Sequence, residues 1–323
     1  MENRNVPVID ITSLYDPATL AALDDACRRW GFFQVVNHGV EPSVIDNLKT
    51  RMHEFFAQPP AVKRAIARTA ENPWGYFDHE LTKNTLDWKE VFDYGPAELP
   101  TDGSEPVLVP RWPRSLPGFK PAVLAYYRSC EKLAFALIDA IARNLGMPAD
   151  SLTAPFSPNH TSFVRLNHYP ACPEPARPAG IAVPESGWLG VNHHTDAGAL
   201  TVLLQADEPG LEVFHDGAWH LVEPRNDALV VNIGDIVQVW SNDRYAAALH
   251  RVITNTERDR YSVPFFLNPA YAASYAPLPS TVDEGHPARY RPINWGEFRR
   301  LRTAGDYADQ GEEVQISHYL CSR

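Results

Sequence analysis

The stretch NHHTDAGALTVLLQ, residues 192–205, sets two histidines and an aspartate against an apolar run. Such a trio costs stability unless a ligand binds it or solvent reaches it. In an extended chain residues two apart share a face, so His194 pairs with Asp196 while His193 and Thr195 turn to the other side. A lone His-x-Asp triplet is a weak signal, since a hydrogen-bonded pair at a strand end explains it as well. His250 strengthens it, because it lies at the centre of a second strand-like run, ALHRVITN. Two imidazoles and a carboxylate converging inside a β-barrel would form the facial triad that suits non-haem Fe(II). That set holds iron on one octahedral face and leaves the opposite face open for cosubstrate and dioxygen. Zinc competes for the same ligand types but more often takes a tetrahedral site.

The same parity places Arg260 with Ser262 in RYSVPFF, and Asn167 with Tyr169 in LNHYPAC, each pair on one strand face. An arginine fork matches a carboxylate, and serine and tyrosine hydroxyls can complete its hydrogen bonding. By itself Arg260 reads as an exposed strand end, because the TERDR before it is highly charged; beside a metal triad it reads as part of a carboxylate trap. Arg165 extends the face of Asn167 and Tyr169, and Phe266 and Asn268 extend that of Arg260. These three are candidate substrate-facing residues, Arg165 toward a polar or acidic group and Phe266 toward an apolar body. Trp74, Tyr76 and Phe77 would either close the mouth of the site or pack. His38, His168, His193, His215 and His220 lack metal spacing and read as structural or surface residues.

The elements that must position these residues follow from the patterning. From about residue 160 the runs TSFVRLNHY, ALTVLLQ, LEVFHDGAWHLV, ALVVNIGD, IVQVWSN, ALHRVIT and RYSVPFFLN predict successive strands of a sandwich or jelly-roll barrel. Asp216–Gly217 is a hairpin signal, with room for a loop longer than two residues. Earlier, VPVIDI and FFQVVNHGV read as strands. Residues 16–31 between them read as a helix, with Asp16 to cap it, Pro17 in its first turn and Gly31 at its end. Pro42 opens another helix, which Pro59–Pro60 must end, and residues 72–119 read mostly as loops and short pieces. The longest helical pattern is 120–146, with Leu124, Leu133, Leu137, Ile138 and Ile141 at helical spacing and Gly146 as its stop. INWGEFRRLRTAGDYADQ returns to helix, with Asn294 and Glu297 as a capping box.

A chain of 323 residues, 44% hydrophobic and 21% charged, has room for one large domain or two closely joined ones. A net charge of −11 works against non-specific nucleic-acid or anionic-membrane binding. No apolar run reaches the length of a membrane span, and MENRNVPVID lacks the basic-then-apolar pattern of a secretory leader. Cys27, Cys130, Cys172 and Cys321 are scattered without metal spacing and read as free thiols of a reducing compartment, so a cytoplasmic location is expected.

HTDAGALTVLLQ, LHRV, RYSVPFFLNP and NHYPACPEP, with VPVIDI, WGFFQVVNHGV, DWKEVFDYG and RWP ahead of them, resemble the Fe(II)/2-oxoglutarate-dependent dioxygenases of the isopenicillin N synthase-like superfamily. Within it they look most like the plant-type small-molecule oxygenases, over nearly the whole chain. The resemblance implies a mainly β fold with flanking helices, a distorted double-stranded β-helix (jelly roll, cupin-like). Residues 1–119 would be a mixed α/β region packed on a core at 120–323, itself a helix, the β-helix and a C-terminal helix. It implies His194, Asp196 and His250 as Fe(II) ligands, Arg260 and Ser262 on the distal carboxylate of 2-oxoglutarate with Tyr169 assisting, and Asn167 near its chelating end.

The implied reaction takes 2-oxoglutarate and O2 to succinate and carbon dioxide. It oxidises an unactivated C–H bond of a small, secondary-metabolite substrate by hydroxylation, desaturation or rearrangement. A monomer without nucleic-acid or membrane partners is implied as well. The alternatives are an iron oxidase of the same fold that consumes no 2-oxoglutarate, and a non-catalytic jelly-roll ligand-binding protein. The sequence departs from the plant-type pattern in ARPAGIAVPESGWLGVN, a longer connection than expected ahead of HHTD. The 173–190 region, which overlaps it from residue 176, either shapes substrate access or is a surface excursion.

Overall fold

The structure, a computed structural model, describes residues 5–69, 71–96, 108–177, 180–181, 184–305, 311 and 313–321. The strands ahead of residue 119 are β1 (Val8–Asp10), β2 (Phe32–Val36), β3 (Gly75–Phe77), β4 (Leu81–Thr82), β5 (Thr85–Leu86) and β6 (Glu90–Tyr94). After it come β7 (Phe163–Tyr169), β8 (Leu189–His194), β9 (Leu200–Gln205), β10 (Leu211–His215), β11 (Ala218–Leu221) and β12 (Ala228–Ile233). The last are β13 (His250–Ile253), β14 (Arg260–Leu267), β15 (Ser274–Tyr275) and β16 (Ile293–Asn294).

Eight strands form one sheet in the order β1-β2-β12-β9-β14-β7-β6-β3, and four form a second in the order β11-β10-β13-β8. The two sheets are the layers of a double-stranded β-helix, or jelly roll. β9, β12 and most of β14 are buried along their whole length, as strands covered on both faces must be. The helix Phe119–Asn144 lies along the larger sheet. It buries Leu133, Leu137, Ile138 and Ile141, and Tyr126 donates its hydroxyl to the Val263 carbonyl of β14 at 3.0 Å.

Local chemistry explains several boundaries. Gly31 ends the first helix (Pro17–Arg29) at φ +59, and a Cβ there would fall 2.1 Å from the Ala246 carbonyl oxygen, so both conformation and space demand glycine. Asp16 holds the N-cap position, but its side chain makes no capping bond. Asn294 does cap its helix (Trp295–Gly305), its Oδ1 accepting the Glu297 amide at 3.0 Å. Asp216 and Gly217, both at positive φ, make a two-residue turn between β10 and β11, so no longer loop is present.

One expectation fails. IVQVWSN is not a strand: Asp235–Trp240 is a short helix, because Gly234 breaks β12 and the Asp235 amide turns to the Asp196 carbonyl at 2.8 Å. The β-branched run reads as strand, yet burial on all sides suits a core helix equally. Residues 72–119 are, as expected, mostly loops and short pieces among the described residues. They include β6, fully buried beside β7, whose Glu90 and Asp93 break the apolar pattern because each sits in a buried ion pair.

Candidate active site

Pairs of directly opposed residues build the site between the two sheets. His250 on β13 faces His194 on β8, in the smaller sheet. In the larger sheet Asn232 on β12 faces Thr201 on β9, and Arg260 and Ser262 on β14 face Tyr169 and Asn167 on β7.

His194 is the last residue of β8, and Asp196 follows in the turn before β9 rather than at the head of a strand. The turn still brings the carboxylate back between the rings. Asp196 Oδ1 lies 3.6 Å from Nε2 of both His194 and His250, and the ring centroids are 4.3 Å apart. One ligand atom from each residue falls within a 4.8 Å set.

The tautomers are fixed by backbone acceptors. His194 Nδ1 lies 2.8 Å from the Asn192 carbonyl and His250 Nδ1 lies 3.0 Å from the Ala248 carbonyl. A carbonyl only accepts, so each Nδ1 carries a proton, and in the neutral ring each Nε2 presents a lone pair to the centre. Asp196 uses its other oxygen for anchoring: Oδ2 accepts from Asn232 Nδ2 at 2.7 Å and from the Thr201 hydroxyl. Burial would raise the Asp196 carboxyl, but the positive charge that His250 and His194 carry when protonated, with hydrogen bonds from His194 and Asn232, outweighs it and holds its pKa below the usual carboxylate range. Burial, reinforced by the neighbouring His194, pushes the His250 imidazole down to about 4 against the pull of Asp196. Ionised carboxylate and neutral imidazoles are the states a divalent cation requires.

Beside the triad lies an inner cavity of about 80 Å³, lined among others by Arg165, Asn167, Tyr169, Arg260 and Ser262. Arg260 is 2% exposed; its Nη2 donates to Gln205 Oε1 at 3.1 Å, and its guanidinium also meets the Tyr169 side chain. Its Nε and Nη1 are buried without an acceptor, and the guanidinium stands 5.0 Å from the Tyr169 ring centroid. Asn167 Nδ2 donates to the Ser262 hydroxyl at 3.3 Å, while its Oδ1 lacks a donor. A buried cation with two open donors and no carboxylate partner is costly, and an anionic ligand relieves that cost.

An outer cavity of about 120 Å³ shares His194, Asp196, Lys89, Arg165 and Phe266 with the inner one and adds Phe163, Asn268, Arg299 and Arg302. Phe266 stacks on Phe163 at 4.6 Å, and Asn268 is buried with its amide on the Thr161 carbonyl at 3.4 Å. Arg165 lines both cavities, but its guanidinium is already bound: Nε and Nη2 to Asp93 at 2.7 and 2.8 Å, Nη1 to Glu80 at 2.7 Å. Trp74 and Tyr76 line neither cavity; Trp74 packs beside Phe163 and the Tyr76 hydroxyl donates to Glu90 at 2.5 Å. The described residues of 173–190 line neither cavity, and this segment is tied to the β10–β11 hairpin by the Trp219 indole, which donates to the Gly180 carbonyl. His193 turns away to Asn192, as parity predicts. A larger surface cavity, about 930 Å³ near Arg244 and Arg289, contains none of the triad.

Sequence reasoning did not single out Thr201, Asn232, Lys89 or Asp87. The signal for the first two was present: each is a polar residue inside an otherwise apolar strand, LTVLLQ and ALVVNI.

Residues 160–269 match the family model described as the 2OG-Fe(II) oxygenase superfamily, and residues 6–115 match that of the non-haem dioxygenase in morphine synthesis N-terminal region. Oxoglutarate-dependent flavonoid 7-O-demethylase 1 of Ocimum basilicum is 35% identical over 91% of this chain and 76% of its own length. Jasmonate-induced oxygenase 2 of Arabidopsis thaliana is 33% identical over 97% of this chain and 83% of its own. The crystal structure of JOX2 with 2OG, Fe and JA superposes with a TM-score of 0.82 at 31% identity, covering 98% of this chain and 90% of that one. A full-length Neurospora crassa protein crystallised with alpha-KG and thymine gives a TM-score of 0.79 at 25% identity, covering 94% of this chain and 98% of that one.

Proposed function

This chain belongs to the 2OG-Fe(II) oxygenase superfamily, with Fe(II) and 2-oxoglutarate as its cofactors, and from that premise we propose how its residues divide the work. His194, Asp196 and His250 hold Fe(II). Arg260 and Ser262 grip the distal carboxylate of 2-oxoglutarate over Tyr169, and Asn167 stands toward its chelating end. The observation that carries this assignment is Arg260, a buried cation with two unpartnered nitrogens in the cavity that the triad also lines. Bound Fe(II) with 2-oxoglutarate and dioxygen supplies oxidation of an unactivated C–H bond. The chain's own part is to fix the neutral tautomers, anchor Asp196, orient the dicarboxylate and exclude water. Anaerobic addition of 2-oxoglutarate to the Fe(II)-loaded protein tests it: a metal-to-ligand charge-transfer band is expected in the wild type and should need far more 2-oxoglutarate in Arg260→Ala. No band in the wild type would refute the assignment.

The substrate is a small organic metabolite bearing an acidic group, held by Arg299 rather than Arg165. Lys89 and Arg165 are balanced by Glu80, Asp87 and Asp93, and Arg302 by Glu313. Arg299 lines the outer cavity 5.1 Å from the Phe163 ring centroid and has no hydrogen-bond or ion-pair partner among the described residues. The stacked Phe163 and Phe266 offer the apolar body of such a substrate a wall. Relatives named for flavonoids and a neighbour holding JA support a small organic substrate of the secondary-metabolite kind. We take residues 1–119 as a region packed on the oxygenase core at 120–323, the working unit as a monomer, and its location as the cytoplasm. Among the described residues no helix is long and apolar enough to cross a membrane.

A further inference from the structure

Asp87 lies in the short link between β5 and β6, outside the triad and the carboxylate grip, and it is 4% exposed. Its surroundings are built. Oδ2 accepts from the Thr82 hydroxyl at 2.8 Å and pairs with Lys89 at 3.0 Å, while its own amide donates to the Glu80 carbonyl at 3.0 Å. Its Oδ1 accepts the backbone amide of Asn192 at 3.2 Å, and the next residue, Trp88, donates its amide to the Leu189 carbonyl at 2.9 Å.

These contacts matter because of where β8 sits. It is the last strand of the four-stranded sheet, paired on one side only, and that pairing with β13 changes register between His250 and Val252. An edge strand with irregular pairing has little to hold its end in place. Yet its end is His194, and the carbonyl that sets the His194 tautomer belongs to Asn192, 2.8 Å from Nδ1. Asp87 and Trp88 thus stand where a neighbouring strand would, gripping the outer edge of β8 at its first residue, Leu189, and at Asn192, two residues before His194. The Asn192 residue is held from two directions, its amide by Asp87 and its carbonyl by the imidazole.

We infer that Asp87 is a positioning residue for the metal ligand His194, acting through the Asn192 backbone as a carboxylate substitute for a missing strand. This rests on the assignment of His194 as a ligand. A carboxylate suits the task because an ionised acceptor makes a stronger bond to an amide than a neutral one. Burial raises the Asp87 carboxyl, an effect that Lys89 opposes.

The test is Co(II) retention by the full-length, Co(II)-loaded protein in competition with a chelator. Asp87→Asn keeps an oxygen acceptor for the Asn192 amide. Asp87→Leu combined with Lys89→Met removes the acceptor and replaces the buried ion pair by apolar groups of similar size, a change folds often tolerate. The two substitutions remove one charge of each sign and leave the net local charge unchanged, so weaker retention reports the lost acceptor. The expectation is Asp87→Asn within about threefold of the wild type and the double variant weaker by about 10- to 100-fold. Equal retention by the double variant, or an equal loss in Asp87→Asn, overturns the inference. The wild type carries a second test: its Asn192 amide should exchange hydrogen as slowly as strand-interior amides, and exchange at loop rates would also overturn it. Failure of Co(II) to bind the wild type at the triad would instead overturn the ligand assignment.

Discussion

Arg260 and Tyr169 are directly opposed across β14 and β7, and two residues along the same strands Ser262 opposes Asn167. The period of two in both strands puts all four on one face of the larger sheet, with the triad's histidines arriving from the smaller one. An anion bound to Arg260 therefore lies between the sheets, next to the metal ligands.

Truncating one partner of a buried charge pair costs about 2–3 kcal/mol, so Arg260→Ala should raise the KM for 2-oxoglutarate by roughly 30- to 150-fold. The KM for the organic substrate should barely move. Steady-state kinetics with each substrate varied separately checks this, and equal effects on both would remove Arg260 from its role.

Asn232 and Thr201 anchor one oxygen of Asp196 and leave the other for the metal. Asn232→Leu should weaken metal binding by about 10- to 100-fold, as loss of a ligand's supporting hydrogen bond typically does. Thr201→Val, keeping the shape of the side chain, should act in the same direction. Chelator competition with the Co(II)-loaded protein measures both, and unchanged affinity would mean that Asp196 needs no anchor.

Much of this constellation is legible in the sequence because strand parity is local. Arg260 with Ser262, and Tyr169 with Asn167, follow from counting by two, and the His194–Asp196 pair follows even though Asp196 lies in a turn. Partners contributed by distant strands are not legible in the same way. Thr201 and Asn232 meet only once β9 and β12 pair, and Arg165 is neutralised only when Glu80 and Asp93, from a stretch that reads as loop, close on it. The misread helix at Asp235–Trp240 has the same origin, since full burial erases the periodicity that separates helix from strand.

Arg299 is proposed to hold an acidic group of the substrate. A hydrogen bond to a charged group contributes about 1.5–3 kcal/mol, so Arg299→Met should lower kcat/KM for a carboxylic acid roughly 10- to 150-fold. The methyl ester of the same acid should be nearly unaffected. Succinate release over a panel of aromatic and aliphatic acids with their esters reads the difference, and parallel losses on acids and esters would rule the contact out.

His38 Nδ1 accepts the Val40 amide at 3.1 Å, which only an unprotonated nitrogen can do. Burial lowers its pKa below the ordinary 6.5, against a smaller opposing pull from Asp227. The unfolded chain therefore takes up a proton that the folded one resists, and this contribution is present above pH 6.5 and lost as pH falls through the folded value. Melting temperature should fall on acidification, and His38→Asn should flatten that fall. An unchanged slope would show that His38 does not contribute.

Coupling of product to succinate bears most directly on the central claim that oxidation here runs through 2-oxoglutarate bound between Arg260 and the triad. With an accepted substrate, the wild type should release one succinate for each product formed, and His250→Ala should form neither. Product formed without succinate, or undiminished by loss of His250, would contradict the account.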